Sequence, residues 1–371
     1  MLNNTLSGSY SKDDVIFLLK EITGLISELS NEYRENAIQN GTHYSEMLPI
    51  EYHPTEEYMN LFYETLEQTK TKIAILVSIV SDKIIKNIGT NIVLVSLARA
   101  GTPIGILIKR YINHKYNLIL PHYSISIIRD KGIDRNALLY ILKKHPDSTL
   151  QFIDGWTGKG VIQDTLIKAC NDFYKDTGIK LNTNLAVLSD PAYCTNIYAT
   201  REDFLIPSAC LNSTVSGLMS RTVLNESFIS KTDFHGAKYY KELASMDVSN
   251  LFIDTITEQF GLIDKSPKTF ENADLILENE SMPNYKGLED VCKIQKLFNI
   301  KNINLVKPGV GETTRVLLRR IPWKILVDSF NNPNLKHILK LAEDRNVPVE
   351  IYKDMSYSCC GIIKPKELGD I

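Results

Sequence analysis

At 371 residues the chain exceeds what one compact core usually organises, so two domains with a helical extension are expected. The near balance of 42 Lys and Arg against 44 Asp and Glu excludes a protein that binds polyanions along its whole length. Cys170, Cys194, Cys210, Cys292, Cys359 and Cys360 are irregularly spaced with no CxxC pair, which excludes a disulfide scaffold and argues against structural zinc. They read as reduced thiols of a cytoplasmic protein. The first ten residues lack a basic and an apolar region, so no secretory signal is expected. The apolar run at 73–80 is too short to span a bilayer, and no membrane contact is expected.

In chain order, Ser11-Lys12-Asp13-Asp14 before Val-Ile-Phe-Leu-Leu predicts a helix to about residue 25. Residues 31–54, broken by Gly41, Pro49 and Pro54, read as an irregular arm. Thr55-Glu56-Glu57 opens a long helix to about residue 88. From 91 to 190 strand and helix alternate: strands at 91–97, 122–128, 149–153 and 184–189, with helices at 104–111, 135–144 and 161–174. This is the pattern of a parallel α/β sheet with right-handed crossovers. Residues 191–245 give no decision between sheet and loop. The polar stretch at 265–286 reads as a linker. The tail repeats an α/β pattern: strands at 302–306, 323–328, 347–352 and 357–363, helices at 313–320 and 332–345. The expected division is a helical extension at 1–90, a body at 91–262 and a smaller α/β domain at 270–371. From Lys301 onward 12 Lys and Arg face 8 Asp and Glu, leaving 30 against 36 before it, which favours an anionic partner for the tail.

The stretch 149–160 organises the body. An apolar strand ends at Asp154, a loop with Gly155, Gly158 and Gly160 follows, and a helix starts. A glycine loop feeding a helix N-terminus turns backbone N–H groups toward one point and suits an anion. Thr157 and Lys159 add a hydroxyl and a charge. A P-loop is not expected, because the four-residue gap before Gly-Lys is missing and Gly160 replaces the metal-binding Ser or Thr. A purely structural turn stays open.

Three loops lie at carboxyl ends of predicted strands: Arg99-Ala100-Gly101-Thr102-Pro103, Arg129 to Gly132, and Asp154-Gly155-Trp156-Thr157-Gly158-Lys159-Gly160. Together they resemble a type I phosphoribosyltransferase. That resemblance implies a pyrophosphate loop at Arg99, Ala100, Gly101 and Thr102, and a closing loop carrying Arg129 and Lys131. It implies a 5′-phosphate loop at Gly155 to Gly160, with Asp154 on ribose and on Mg²⁺. Trp156 falls within that phosphate loop. The family shows two adjacent acids where this chain has Asp154-Gly155. Asp190, Ser216 and Arg221 are candidates for the acceptor pocket.

In the tail, Pro308-Gly309-Val310-Gly311-Glu312-Thr313-Thr314-Arg315 followed by Trp323 to Asp328 resembles the Pelota/L7Ae-type RNA-binding fold. Gly309, Gly311, Glu312, Arg315 and Arg319 are then the residues implied for RNA. The combination, with Glu46-Met47-Leu48-Pro49 and Ser216 to Thr222, resembles the bacterial StiP family of tellurium-resistance-type gene clusters, which carries the label cysteine protease. The expected function is transfer of phosphoribose from phosphoribosyl pyrophosphate to a nitrogenous acceptor with Mg²⁺. One alternative is a non-catalytic sensor of phosphoribosyl pyrophosphate or a nucleotide, coupled to RNA binding. A second is a cysteine protease, for which no local Cys/His signature stands in the sequence. A homodimer is among the assemblies allowed.

Overall fold

The computed structural model describes residues 6–263 and 282–364. Of the expected linker at 265–286, residues 265–281 lie outside them, and Lys286 already opens a helix. The body is built on a sheet whose parallel strands run in the order Ile16–Phe17, His122–Ile128, Ile92–Ala98, Thr149–Ile153, Ala186–Ser189, Ile197–Thr200. All four strands expected between 91 and 190 are present. Alternation decides which layer each side chain enters. Ile92, Leu94 and Ile153 face a layer made by helices Glu56–Ile88, Gly101–Tyr116 and Ser249–Thr257. Val93, Val95, Leu97 and Phe152 face the opposite layer, made by Arg135–Lys144 and Val161–Thr177. Burying each of these aliphatic side chains contributes roughly 1.5–3 kcal/mol.

Taken from Ile92–Ala98 onward, the five core strands have the doubly wound order 2-1-3-4-5. The chain leaves the first strand in one direction and returns past it to build the other three. A crevice therefore opens beyond the carboxyl ends of Ile92–Ala98 and Thr149–Ile153. Sheets of this kind host many activities, so the order does not select the phosphoribosyltransferase type.

Two local readings are corrected. Residues 15–25 are not a helix. Ile16–Phe17 pairs with Tyr123 and Ser124, and Lys20–Glu21 pairs with Gly236–Ala237. Phe17, Leu18 and Leu19 are all buried, and an extended segment buries consecutive side chains on both faces where a surface helix would expose some. Long-range pairing overrides the capping signal there. The extension at 1–90 is therefore helical mainly through Asn31–Gln39 and Glu56–Ile88, and its first strand joins the body's sheet. Residues 191–245 supply the last core strand, Ile197–Thr200, the short strand Gly236–Ala237 and several 3-10 turns.

The tail is a four-stranded sheet in the order Val306–Pro308, Cys359–Ile363, Pro322–Val327, Val349–Ile351, with helices Lys286–Leu297, Val310–Arg319 and Lys336–Asp344. Residues 303–305 form a 3-10 turn, so the first strand starts later than expected. Cys359 and Cys360 enter opposite layers, as adjacent strand residues must. Val310, Leu317, Ile325 and Ile338 belong to the same apolar core as the body's first layer. The tail is thus packed onto the body through shared core. Among the described residues no helix is long and apolar enough to cross a membrane.

Candidate active site

The loop after Thr149–Ile153 does not leave the sheet at once. Asp154 N donates to Ala186 O at 3.0 Å, Leu188 N to Gly155 O at 3.1 Å and Thr157 N to Ser189 O at 3.1 Å. Only then does the chain turn, at Gly160 with φ +85°, into the helix Val161–Thr177. That left-handed conformation favours glycine, and a side chain there would meet the Tyr285 ring at 3.0 Å. The loop's outer edge is tied to the tail. Tyr357 OH donates to Gly158 O at 2.7 Å, and Lys159 Nζ donates to Ile303 O at 3.0 Å.

A cleft of about 460 Å³ lies between this loop and the tail, with Asp154 on its floor. Trp156, Thr157, Gly158, Lys159 and Gly160 line it, and Tyr44 and Arg129 close one side. Lys307, Glu312 and Arg315 come from the tail. Ala100, Asp154 and Arg315 also line a second chamber of about 820 Å³, which contains Arg99 and Arg221. Burial raises the Asp154 carboxyl to about 7, against the Gly155 N–H that donates to it at 2.8 Å and the charge of Arg315. Burial lowers Lys159 to about 8, and the neighbouring Lys307 lowers it further. Lys307 is itself lowered by burial. Burial works to raise Glu312, but Arg315, 3.0 Å away, and Lys307 outweigh it and hold the carboxylate low. Arg315 also lies over Trp156, 5.3 Å from the ring centroid.

Several expected site residues are elsewhere. Asp190 is fully buried and accepts from Thr157 Oγ1, Cys194 N, Thr195 N and Arg201, so it organises the loop and presents no oxygen to the cleft. Thr102 is buried against Ser124 at 2.8 Å, and Ser216 donates to Asn212 O at 2.7 Å. Gly101 is a close-approach position: a Cβ there would sit 2.4 Å from Ile153 O. Lys131 is exposed and does not line the cleft, whereas Arg129 does. Asp190 and Thr102 satisfy internal partners more than twenty residues away, and Ser216 satisfies one a turn earlier.

In the tail, the helix start at Gly309 is not open. Val310 N donates to Asp203 Oδ1 at 2.9 Å, and Ser358 N donates to Asp203 Oδ2 at 2.9 Å. Gly309 packs against the same carboxylate, and Gly311 against Ala209 and Trp156. Neither glycine presents a free outer face. Glu312 and Arg315 point into the cleft, and the Arg319 side chain lies outside the described residues. The residues missed from sequence are Tyr44, which accepts from Arg129 N at 2.9 Å, and Lys307. Lys307, next to Pro308-Gly309, had the only local signal, a charge beside a glycine loop.

Among the described residues no group of three or more His, Cys, Asp and Glu could hold a metal ion. Burial raises the Cys170 and Cys360 thiols to about 12 and also pushes Cys194 and Cys359 well above the ordinary thiol value. The polar groups bearing on Cys194 are Asp190, Thr157 and Asp164. Those on Cys359 and Cys360 include Asp203, Thr313 and Lys159.

The model of the family described as tellurite-like stress resistance cysteine protease StiP matches residues 8–257. The PELOTA RNA binding domain matches residues 285–365. The protein named Cysteine protease StiP from Acinetobacter baylyi (strain ATCC 33305 / BD413 / ADP1) is 33% identical over 378 residues, covering 100% of this chain and 96% of its own. These findings overturn the expectation of phosphoribosyl transfer, together with the phosphoribosyl pyrophosphate and Mg²⁺ chemistry attached to it. They support an enzyme, and the protease reading over the two placed before it. The tail is of the Pelota RNA-binding type, and the chain belongs to the StiP family.

Proposed function

We propose that the chain is a thiol-dependent peptidase whose substrate sits in the cleft between the glycine loop and the tail, with Cys194 as the thiol. The supporting observation is position. Cys194 lies directly beneath the loop, its Cβ 3.3 Å from where a side chain at Gly160 would begin. Its Sγ is 3.5 Å from Asp190 Oδ1. In the described state it is a protonated thiol, because burial, and then the Asp190 charge, disfavours the thiolate. Attack on a peptide carbonyl needs Cys194 opened to the cleft, with Asp190, 3.5 Å from its Sγ, as the neighbouring acceptor of the thiol proton as the S–C bond forms. In this reading the developing oxyanion falls to the backbone N–H groups at the start of Val161–Thr177. The proton then passes to the departing amine, and water releases the acyl group.

Hydrolysis of unfolded casein or of a fluorogenic peptide pool, under reducing conditions, tests this. Cys194→Ser is expected to lose at least about 100-fold in kcat/KM, which is about 2.7 kcal/mol of transition-state stabilisation, while Cys170→Ser stays near wild type. Full activity in Cys194→Ser, or none in the reduced wild type, would sink the assignment. Loss in Cys360→Ser instead would move the thiol to the strand beside Lys159. A divalent ion at Asp154 is a separate proposal, since Mg²⁺ ordinarily takes one or two carboxylates and keeps its waters. Calorimetric titration of wild type and Asp154→Asn with MgCl₂ reads it out. The division into 91–262 and 270–371, with 1–90 wrapped on the first, is likewise proposed.

A further inference from the structure

The Pelota-type element and the body's crevice are one continuous surface. The first chamber carries Arg129, Lys159, Lys307 and Arg315, and the second adds Arg34, Arg99, Arg221 and Arg320. These eight cations face three carboxylates, Glu51, Asp154 and Glu312, in a chain whose net charge is −2. Charge of one sign is thus concentrated where two chambers meet, and low-dielectric walls strengthen its field. Six of the eight are arginines, whose planar fork suits phosphate oxygens. Aromatic rings are interleaved with them. Trp156 and Tyr44 line the first chamber, and Tyr52 and Tyr58 the second. Tyr52 is 68% exposed, so its ring is open to stacking.

We infer that a single-stranded RNA end enters this two-chambered cleft, with phosphates on both cationic sets and bases against the aromatic rings. Single strands are held by a basic groove combined with stacking platforms. The alternative, RNA on the outside of the tail alone, would need Gly309 and Gly311, and both are packed against the body. Glu312 and Arg315, the residues of that element nearest the entrance, already look inward. This assignment shares the first chamber with the peptidase reading and is tested on the second, through Arg99 and Arg221, which do not line the first.

The test is fluorescence anisotropy with a labelled ten-nucleotide single-stranded RNA at several salt concentrations. Arg99→Gln/Arg221→Gln is expected to weaken binding at least tenfold and to flatten the salt slope by about 1.4, for two lost phosphate contacts on a single strand. Arg99→Lys/Arg221→Lys keeps both charges and should stay within a few-fold of wild type, which separates loss of contact from loss of fold. Wild-type affinity in the double glutamine variant, with binding lost in Arg315→Gln, would place RNA on the tail alone and overturn the inference. Equal binding of a ten-residue polyglutamate peptide would overturn it as well, in favour of an acidic peptide. Absence of RNA binding at low salt would do the same.

Discussion

Two helices in this molecule start from a left-handed glycine, and they use their N-termini in opposite ways. Gly160, at φ +85°, opens Val161–Thr177 beside the cleft. Gly309, at φ +89°, opens Val310–Arg319 onto a carboxylate of the same chain, Asp203. A helix N-terminus attracts negative charge through its unpaired N–H groups and dipole. In the tail an internal acid satisfies that demand and becomes a structural pin. In the body the corresponding residues, Val161 to Gln163, line the crevice itself. Glycine followed by a helix is therefore a statement about backbone geometry, and the use is decided by what the fold brings opposite.

Removing the pin is the strongest way to break this contrast. Asp203→Ala leaves the buried N–H groups of Val310 and Ser358 without an acceptor and is expected to cost about 2–4 kcal/mol. Urea denaturation would show it, with the tail losing structure first. Unchanged stability would mean that Asp203 is no pin. A smaller effect comes from the cleft's own acid. Asp154 is raised from 3.8 to about 7, so the native state holds its proton more tightly than the unfolded chain does. Its contribution is fully present below about pH 4 and is lost as pH rises through 7. Asp154→Asn should therefore match wild type at pH 4 and be the more stable of the two at pH 8. A thermal-melt series across pH checks the sign. Asp203, also raised to about 7, leaves a residual slope in both proteins. Smallest is Gly160→Ala, where the left-handed backbone and the Tyr285 contact cost about 1–2 kcal/mol. A Tm shift without loss of ligand binding would show that the turn needs its geometry more than its openness.

The body's four central strands were legible because long apolar runs ended in glycine, proline or acid signals. Asp154, Arg99, Arg129 and the 156–160 loop were legible for the same reason, since the carboxyl edge of such a sheet gathers loops at the switch of direction. What stayed hidden depends on partners far along the chain. Ile16–Phe17 becomes a strand only because Tyr123 and Ser124 lie beside it. Asp190 and Thr102 looked like ligands because their neighbours in sequence are loop residues, yet each is consumed by a buried partner. The inward turn of Arg315, and of Glu312 paired with it, rests on Arg315's contacts with Ala209 and Trp156, more than a hundred residues earlier. The activity class was carried by the comparison with relatives, since several chemistries share this sheet.

The hydrogen bond from Tyr357 to the Gly158 carbonyl, with Lys159 reaching back to Ile303, makes the two halves unsuited to cassette exchange. Cutting the chain in the 264–281 stretch and discarding the tail would strip the glycine turn of its outer anchors as well as removing one wall. A chimera carrying a foreign tail would have to supply both a phenol and a carbonyl at matching positions, or its loop would settle into a different shape from the one described.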